Sequence, residues 1–149
     1  MIQRKVLFVC IHNSARSQMA EAFLNEMGHG TIIAESAGLE PGTLNKRVVR
    51  VMHEQGIDIS GKGTQGVFDL LKQGKQYDAV ITVCDGAAAE RCPIFPGNTK
   101  RLAWSFADPS SFTGDEEDVL ARIRDVRDDI EKHVAAFIDE ASNYNYWIN

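Results

Sequence analysis

The stretch VLFVCIHNSARSQMAEAF occupies residues 6–23. It opens with an apolar run that ends on Cys10. A short unbroken apolar run of this kind reads as a strand buried on both faces, as in a parallel sheet. The second half is helical in pattern. Met19, Phe23 and Met27 share a face, Ala20 and Leu24 flank it, and Gly28 supplies the stop, so a capped helix is predicted over residues 14–27.

A short loop joins this strand to this helix. Its successive backbone N–H groups can face one hollow and form a nest for an anion. The helix start adds further free N–H groups and the positive end of its dipole. Arg16 supplies a planar two-pronged donor suited to a tetrahedral oxyanion, which a lysine would not. The same surroundings act on the thiol. A free thiol ionises near pH 8.5, and helix starts and cations bring that to between about 3.5 and 7.5. Ser17 and Ser14 are placed to add hydroxyl donors. The candidate anion-binding set is therefore Ile11, His12, Asn13, Ser14, Ala15, Arg16 and Ser17, with Cys10 as nucleophile. No Gly-Lys-Ser/Thr follows, which excludes a nucleotide P-loop. The plainer alternative is that Cys10 is a small core residue and Arg16 faces water.

Further strands are predicted at residues 31–38, 77–84 and 100–106, and helices at 44–55, 67–72 and 115–140. In the second of these helices Leu44, Val48, Val51 and Met52 point inward. In the last, Val119, Ile123, Val126, Ile130, Val134, Phe137 and Ala141 step by three and four along a core face. Trp104 is expected in the core. Strands alternating with helices imply right-handed crossovers and a parallel sheet, whose ligands sit outside the strands' carboxyl ends. Cys10 ends the first strand, Cys84 ends the third and Asp108 follows the fourth, so they converge on that edge.

The chain has 149 residues, 44% hydrophobic and 25% charged, and reads as one domain over residues 1–149. No apolar run approaches the ~20 residues that span a bilayer. The basic, apolar start lacks a signal-like cleavage pattern, so a cytoplasmic protein is expected. The net charge of −5, with no cluster of Lys and Arg, excludes a nucleic-acid surface. An anionic substrate must be small and met by a local positive pocket. Three cysteines, Cys10, Cys84 and Cys92, are an odd number for a cytosolic chain, which argues against a disulfide framework and leaves buried apolar Cys, metal ligands or redox chemistry; their spacings fit no familiar zinc pattern and no His stands at ligand spacing beside them. No metal site is predicted.

Cys10-x5-Arg16-Ser17 followed by Met19-Ala20-Glu21 resembles the low-molecular-weight tyrosine phosphatase superfamily. ESAG at residues 35–38, GIDIS at 56–60 and Asp108-Pro109 extend the resemblance over nearly the whole chain. It implies an α/β three-layer sandwich, a four-stranded parallel sheet flanked by helices. It also implies that Cys10 attacks the oxyanion, Arg16 and the loop amides hold it, and Asp108 is the general acid. His12 departs from the glycine of many relatives. Asn13, Glu21 and Ser36 match positions that support the loop through a potassium ion in some relatives. Gln65 stands where those carry an acid, so Asn13 is expected to brace the loop by hydrogen bonds instead.

Within the superfamily the chain is more similar to the thioredoxin-coupled arsenate reductases than to the phosphatases. Gln18 stands where phosphatases usually carry Pro, and DPSSFTG lacks the tyrosines that phosphatases place after Asp-Pro. VCDGAAAERCPIFPG carries Cys84 and Cys92 in the pattern of the reductases. The resemblance implies a relay from Cys10 to Cys84 to Cys92, with residues 84–92 refolding on oxidation. It implies arsenate as substrate, no bound cofactor, and electrons from thioredoxin, or alternatively from glutathione and glutaredoxin. A monomer is expected. The alternatives are a phosphatase acting on phosphate monoesters, an activity that can coexist weakly with reduction, and a non-catalytic oxyanion or thiol-redox sensor. A sensor would not need Asp108.

Overall fold

The computed structural model describes residues 2–148. Four parallel strands form one sheet in the order β2-β1-β3-β4, with β1 Arg4–Cys10, β2 Ile32–Gly38, β3 Ala79–Thr82 and β4 Lys100–Ala103. β1 runs in register with β2 from Arg4↔Ile32 to Cys10↔Gly38, and with β3 from Val6↔Ala79 to Val9↔Thr82. Side chains of a strand point alternately to opposite faces. Val6 to Val9 are nevertheless all fully buried, so both faces of the central strand are covered. The sheet lies between helical layers, as the α/β pattern predicts.

The helices are α1 Arg16–Met27, α2 Lys46–His53, α3 Val67–Lys72, α4 Gly86–Ala89, α5 Glu116–Ala141 and α6 Tyr144–Trp147, with a 3-10 turn at Pro109–Ser111. α1 packs on β1, β2 and α5, and α2 packs on α5. The core face of α5 holds the predicted residues except Val126, which is half-buried, while its neighbour Arg127 is buried. Arg127 is tolerated there because it donates to Val51 O (2.8 Å) and Glu54 Oε1 (2.9 Å).

Several boundaries differ from the sequence reading. α1 begins at Arg16, and no side chain caps it; Ser14 and Ala15 belong to the loop. α2 is shorter than residues 44–55 because Asn45 is its cap, accepting from Arg47 N (2.9 Å) and Val48 N (3.2 Å), which leaves Leu44 outside and half-buried. β3 ends at Thr82, so Cys84 lies two residues beyond it. β4 ends at Ala103 and alternates half-buried with exposed residues, as an edge strand does. Trp104 is half-buried, packed on Phe8 and Phe137 at 5.8 and 6.0 Å between ring centroids. α6 was not predicted. It is a single turn with no readable period, held by Tyr146 and Trp147 against Phe137.

Candidate active site

β1 delivers Cys10 to the carboxyl edge of the sheet, 2% exposed. The loop after it is organised through its carbonyls. Cys10 O accepts from Leu39 N (3.0 Å), Ile11 O from Glu40 N (2.7 Å), His12 O from Gly42 N (2.9 Å) and Ser14 O from Asn45 N (2.9 Å). Asn13 O accepts from Gln18 Nε2 (3.0 Å). In a planar trans peptide the following N–H points opposite to the carbonyl. Carbonyls drawn outward therefore turn the amides of residues 11–15 toward the hollow above Cys10, where α1 also presents its uncapped first turn.

Asn13 is the keystone of the loop. Its φ of 55° lies in the left-handed region, which Asn tolerates better than most residues. That turn aims Asn13 N–H at Cys10 Sγ (3.1 Å). Asn13 Nδ2 donates to Ser17 Oγ (2.8 Å) and Ser36 Oγ (2.9 Å), and Asn13 Oδ1 accepts from Gln65 N (3.0 Å). Since Ser17 Oγ accepts from Asn13, its own proton is free for Cys10 Sγ, 2.9 Å away. Ser14, the other expected donor, makes no hydroxyl contact with the sulfur. Ser36 passes its proton to Glu21 Oε1 (2.7 Å), and Gln65 Nε2 donates to Ser36 O (2.9 Å). The Lys62 ammonium pairs with the other oxygen of the buried Glu21. Asn13 thus braces the loop as expected; the Lys62 contact was not read from the sequence, where a lysine between two glycines looks like an ordinary surface residue.

Arg16 is 4% exposed. Its Nη1 donates to Phe106 O (3.2 Å), its Nη2 lies 3.7 Å from Asp108 Oδ2, and its buried Nε has no partner among the described residues. A buried guanidinium left partly unsatisfied suits an incoming oxyanion. Asp108 is partly exposed, and its Oδ1 accepts from Ser110 N (3.0 Å). His12 is exposed at the rim, where its Nδ1–H donates to Glu40 O (2.9 Å).

Cys84 follows Val83, whose N–H continues the ladder to Val9 O (2.8 Å), so this thiol stands one step beyond the level of Cys10. Burial pushes it up to about 11; Arg16 pulls the other way, while Cys10 and Asp85 add to the rise. Cys92 is also buried and also raised, by burial against an opposing pull from Arg101. Between them lies α4, a single turn capped by Asp85 Oδ1 on Ala88 N (2.9 Å), with Ala88 its only buried residue. Arg91 ties this segment to Glu40 (2.7 Å), and Arg101 donates to Pro93 O (3.2 Å). All three thiols are free. The structure therefore gathers Cys10, Arg16, Cys84 and Asp108 at one edge and sets Cys92 at the far end of α4.

A parallel α/β sheet with a thiol cradled by a strand-to-helix loop, an arginine over the hollow and an aspartate at its rim defines a class of oxyanion-handling cysteine enzymes. Residues 5–144 match the low molecular weight phosphotyrosine protein phosphatase family, and the chain belongs to that family. Within it, the chain is similar to the arsenate reductase of Bacillus licheniformis, 38% identical over 93% of this chain and 98% of that one. A solved arsenate reductase in its oxidized state superposes with a TM-score of 0.78 at 31% identity, covering 93% of this chain and 98% of that chain. The thioredoxin-dependent arsenate reductase of Corynebacterium glutamicum gives a TM-score of 0.62 at 25% identity, over 91% of this chain and 63% of that one.

Proposed function

We propose that this protein reduces arsenate to arsenite by a three-thiol relay. Cys10 thiolate attacks arsenic, an S–As bond forms, and an As–O bond breaks as Asp108 protonates the departing oxygen. The amides of residues 11–15, with Arg16 and Ser17, hold the remaining oxygens. Cys84 thiolate then attacks the Cys10 sulfur. The S–S bond forms, and the S–As pair stays on arsenic, which leaves as arsenite, As(V) having become As(III). Cys92 next attacks Cys84 and frees Cys10, leaving a Cys84–Cys92 disulfide. A dithiol reductant supplies the two electrons that reset it. Thioredoxin is the proposed donor, as in the Corynebacterium relative; glutathione with glutaredoxin is the alternative.

The observation that carries this reading is the second buried thiol beside the first. A phosphatase needs Cys10, Arg16 and Asp108 but has no use for Cys84. The raised Cys84 thiol also orders the steps, because at pH 7 only about 10⁻⁴ of a thiol ionising near 11 is thiolate. Cys84 is therefore held almost entirely as a neutral thiol in the resting protein.

The last step requires α4 to unwind. α4, Gly86–Ala89, rises about 1.5 Å per residue and stands as a folded spacer between the two cysteines. A disulfide needs Cα atoms within about 7 Å. A one-turn helix with one buried alanine is cheap to unfold. Matching conformations of residues 84–92 in reduced and oxidised crystals would refute this.

The protein acts as one domain, residues 1–149, as a cytoplasmic monomer and without a bound cofactor. No helix among the described residues is long and apolar enough to cross a membrane. The test is NADPH consumption with arsenate, thioredoxin and thioredoxin reductase. Wild type is expected to turn over repeatedly, and Cys92→Ser to stop after one arsenite. If thioredoxin and glutaredoxin both fail while p-nitrophenyl phosphate is cleaved well, the protein is a phosphatase.

A further inference from the structure

The turn that carries Asp108 touches the rest of the site in few places. Arg16 reaches it through Phe106 O and Asp108 Oδ2. That tie is compromised in use, because an oxyanion in the hollow competes for the same guanidinium. A second tie does not involve Arg16. Asn45 N donates to Ser14 O (2.9 Å) in the reactive loop. Asn45 Oδ1 is occupied as the cap of α2, which fixes which end of the amide faces outward. The outward Nδ2 donates to Ser110 Oγ (3.0 Å), and Ser110 N donates to Asp108 Oδ1 (3.0 Å). Two residues on, Arg47 grips Glu116 Oε2 through Nη2 (2.8 Å), at the start of α5 just after the same turn. The start of α2 therefore brackets the Asp108 turn.

We propose that Asn45 is a positioning residue that ties the Asp108 turn to the Cys10 loop and holds the acid in place while Arg16 is engaged by the substrate. This rests on the reading of Asp108 as proton donor.

The experiment is the rate at which arsenate occupies Cys10 in a Cys84→Ser background, read by quenching with a thiol reagent, as a function of arsenate concentration, which isolates the step that Asp108 serves. Ser110→Ala removes the acceptor and leaves Ser110 N–H on Asp108. Asn45→Ser keeps a good cap but is too short to reach Ser110. Each is expected to slow the maximal rate about fivefold, the worth of one neutral hydrogen bond, with half-saturation by arsenate unchanged and the melting temperature lowered by no more than a few degrees. The double variant is expected to be no slower than either single one. In an Asp108→Asn background neither change is expected to add anything. Unchanged rates in both single variants, with a large loss in Asp108→Asn, would overturn the role of Asn45 alone. A further loss in the Asp108→Asn background would do the same. No loss in Asp108→Asn itself would overturn the proton-donor reading and take this proposal with it.

Discussion

Gly38 closes β2 against the reactive loop, and replacing it by alanine tests whether that loop must keep its present path. Its φ is not in the left-handed region, so the demand is for space. A Cβ at this position would lie 2.8 Å from Asn13 N, 2.8 Å from Ile11 O and 2.9 Å from the His12 carbonyl carbon. All three are backbone atoms that cannot swing away as a side chain would. A carbon sits comfortably at about 3.5 Å from a neighbour, so the loop or the strand must give by about 0.6–0.7 Å. The strand is held by Gly38 N on Gln65 O (2.8 Å) and by its pairing with β1, so the loop yields. The atom it displaces is Asn13 N, which lies 3.1 Å from Cys10 Sγ. Overpacking of this kind costs about 1–3 kcal/mol of stability. Misplacing a reacting group by about 1 Å can cost on the order of a hundredfold in rate, so Gly38→Ala is expected to lose between about ten- and a hundredfold. Single-turnover arsenite release reads the rate, and thermal unfolding reads the stability. Wild-type release from Gly38→Ala would show that the hollow does not depend on the observed loop path.

The remaining predictions concern charge. Because Cys84 ionises near 11, its thiolate fraction rises about tenfold per pH unit below that value. Formation of the Cys10–Cys84 disulfide, followed by stopped flow at saturating arsenate, should therefore accelerate between pH 7 and 9, and a flat profile would contradict a buried neutral Cys84. Arg124 first, and then Arg127, hold Glu54 down to about 2, below its ordinary value of 4.5. That stabilisation is complete above about pH 4.5 and lost as pH falls toward 2. Glu54→Gln should thus lower stability by about 1 kcal/mol at pH 7 and by progressively less below pH 4, which urea titrations would resolve. Lys62→Met removes the cation facing the buried Glu21 and is expected to cost about 1 kcal/mol, the lysine being partly exposed. An unchanged melting temperature would mean that the Ser36–Glu21 arm does not brace the loop.

Much of the fold was legible because its period is unambiguous. The apolar run into Cys10 admits one strand, and α5 keeps its step of three and four over seven turns. Boundaries were less legible where a polar side chain decides them. Asn45 could have been read as a cap, since Asn before a helical pattern is a standard signal, but the apolar Leu44 drew the start outward. β3 and β4 are shorter than their apolar runs because pairing, not hydrophobicity, ends a strand: past Thr82 and Ala103 the ladder continues only through single hydrogen bonds, Val83 N to Val9 O and Trp104 N to Thr82 O. The thiols, Arg16 and Asp108 were found by type and spacing. Lys62, Arg91 and Glu40 were not, because ion pairs between distant loops leave no periodic mark.

The family's shared hollow explains how one scaffold serves hydrolysis and reduction. Both begin with sulfur attacking a tetrahedral oxyanion held by inward amides and an arginine, so that half of the machinery need not change. What differs is the fate of the adduct. A phosphoryl thioester waits for water, whereas an arsenic adduct can be discharged by a second sulfur that accepts the bond to Cys10. That sulfur must be close yet unreactive beforehand, and the structure supplies both conditions with one feature: Cys84 is buried one step beyond Cys10, so proximity and a suppressed thiolate come from the same packing. In the proposed relay the product disulfide must then leave the core. The segment that follows Cys84 is a single helical turn, four residues with one buried alanine, set between the two cysteines. In the proposed relay a more stable helix there would keep the first two thiols competent and strand the protein after one turnover.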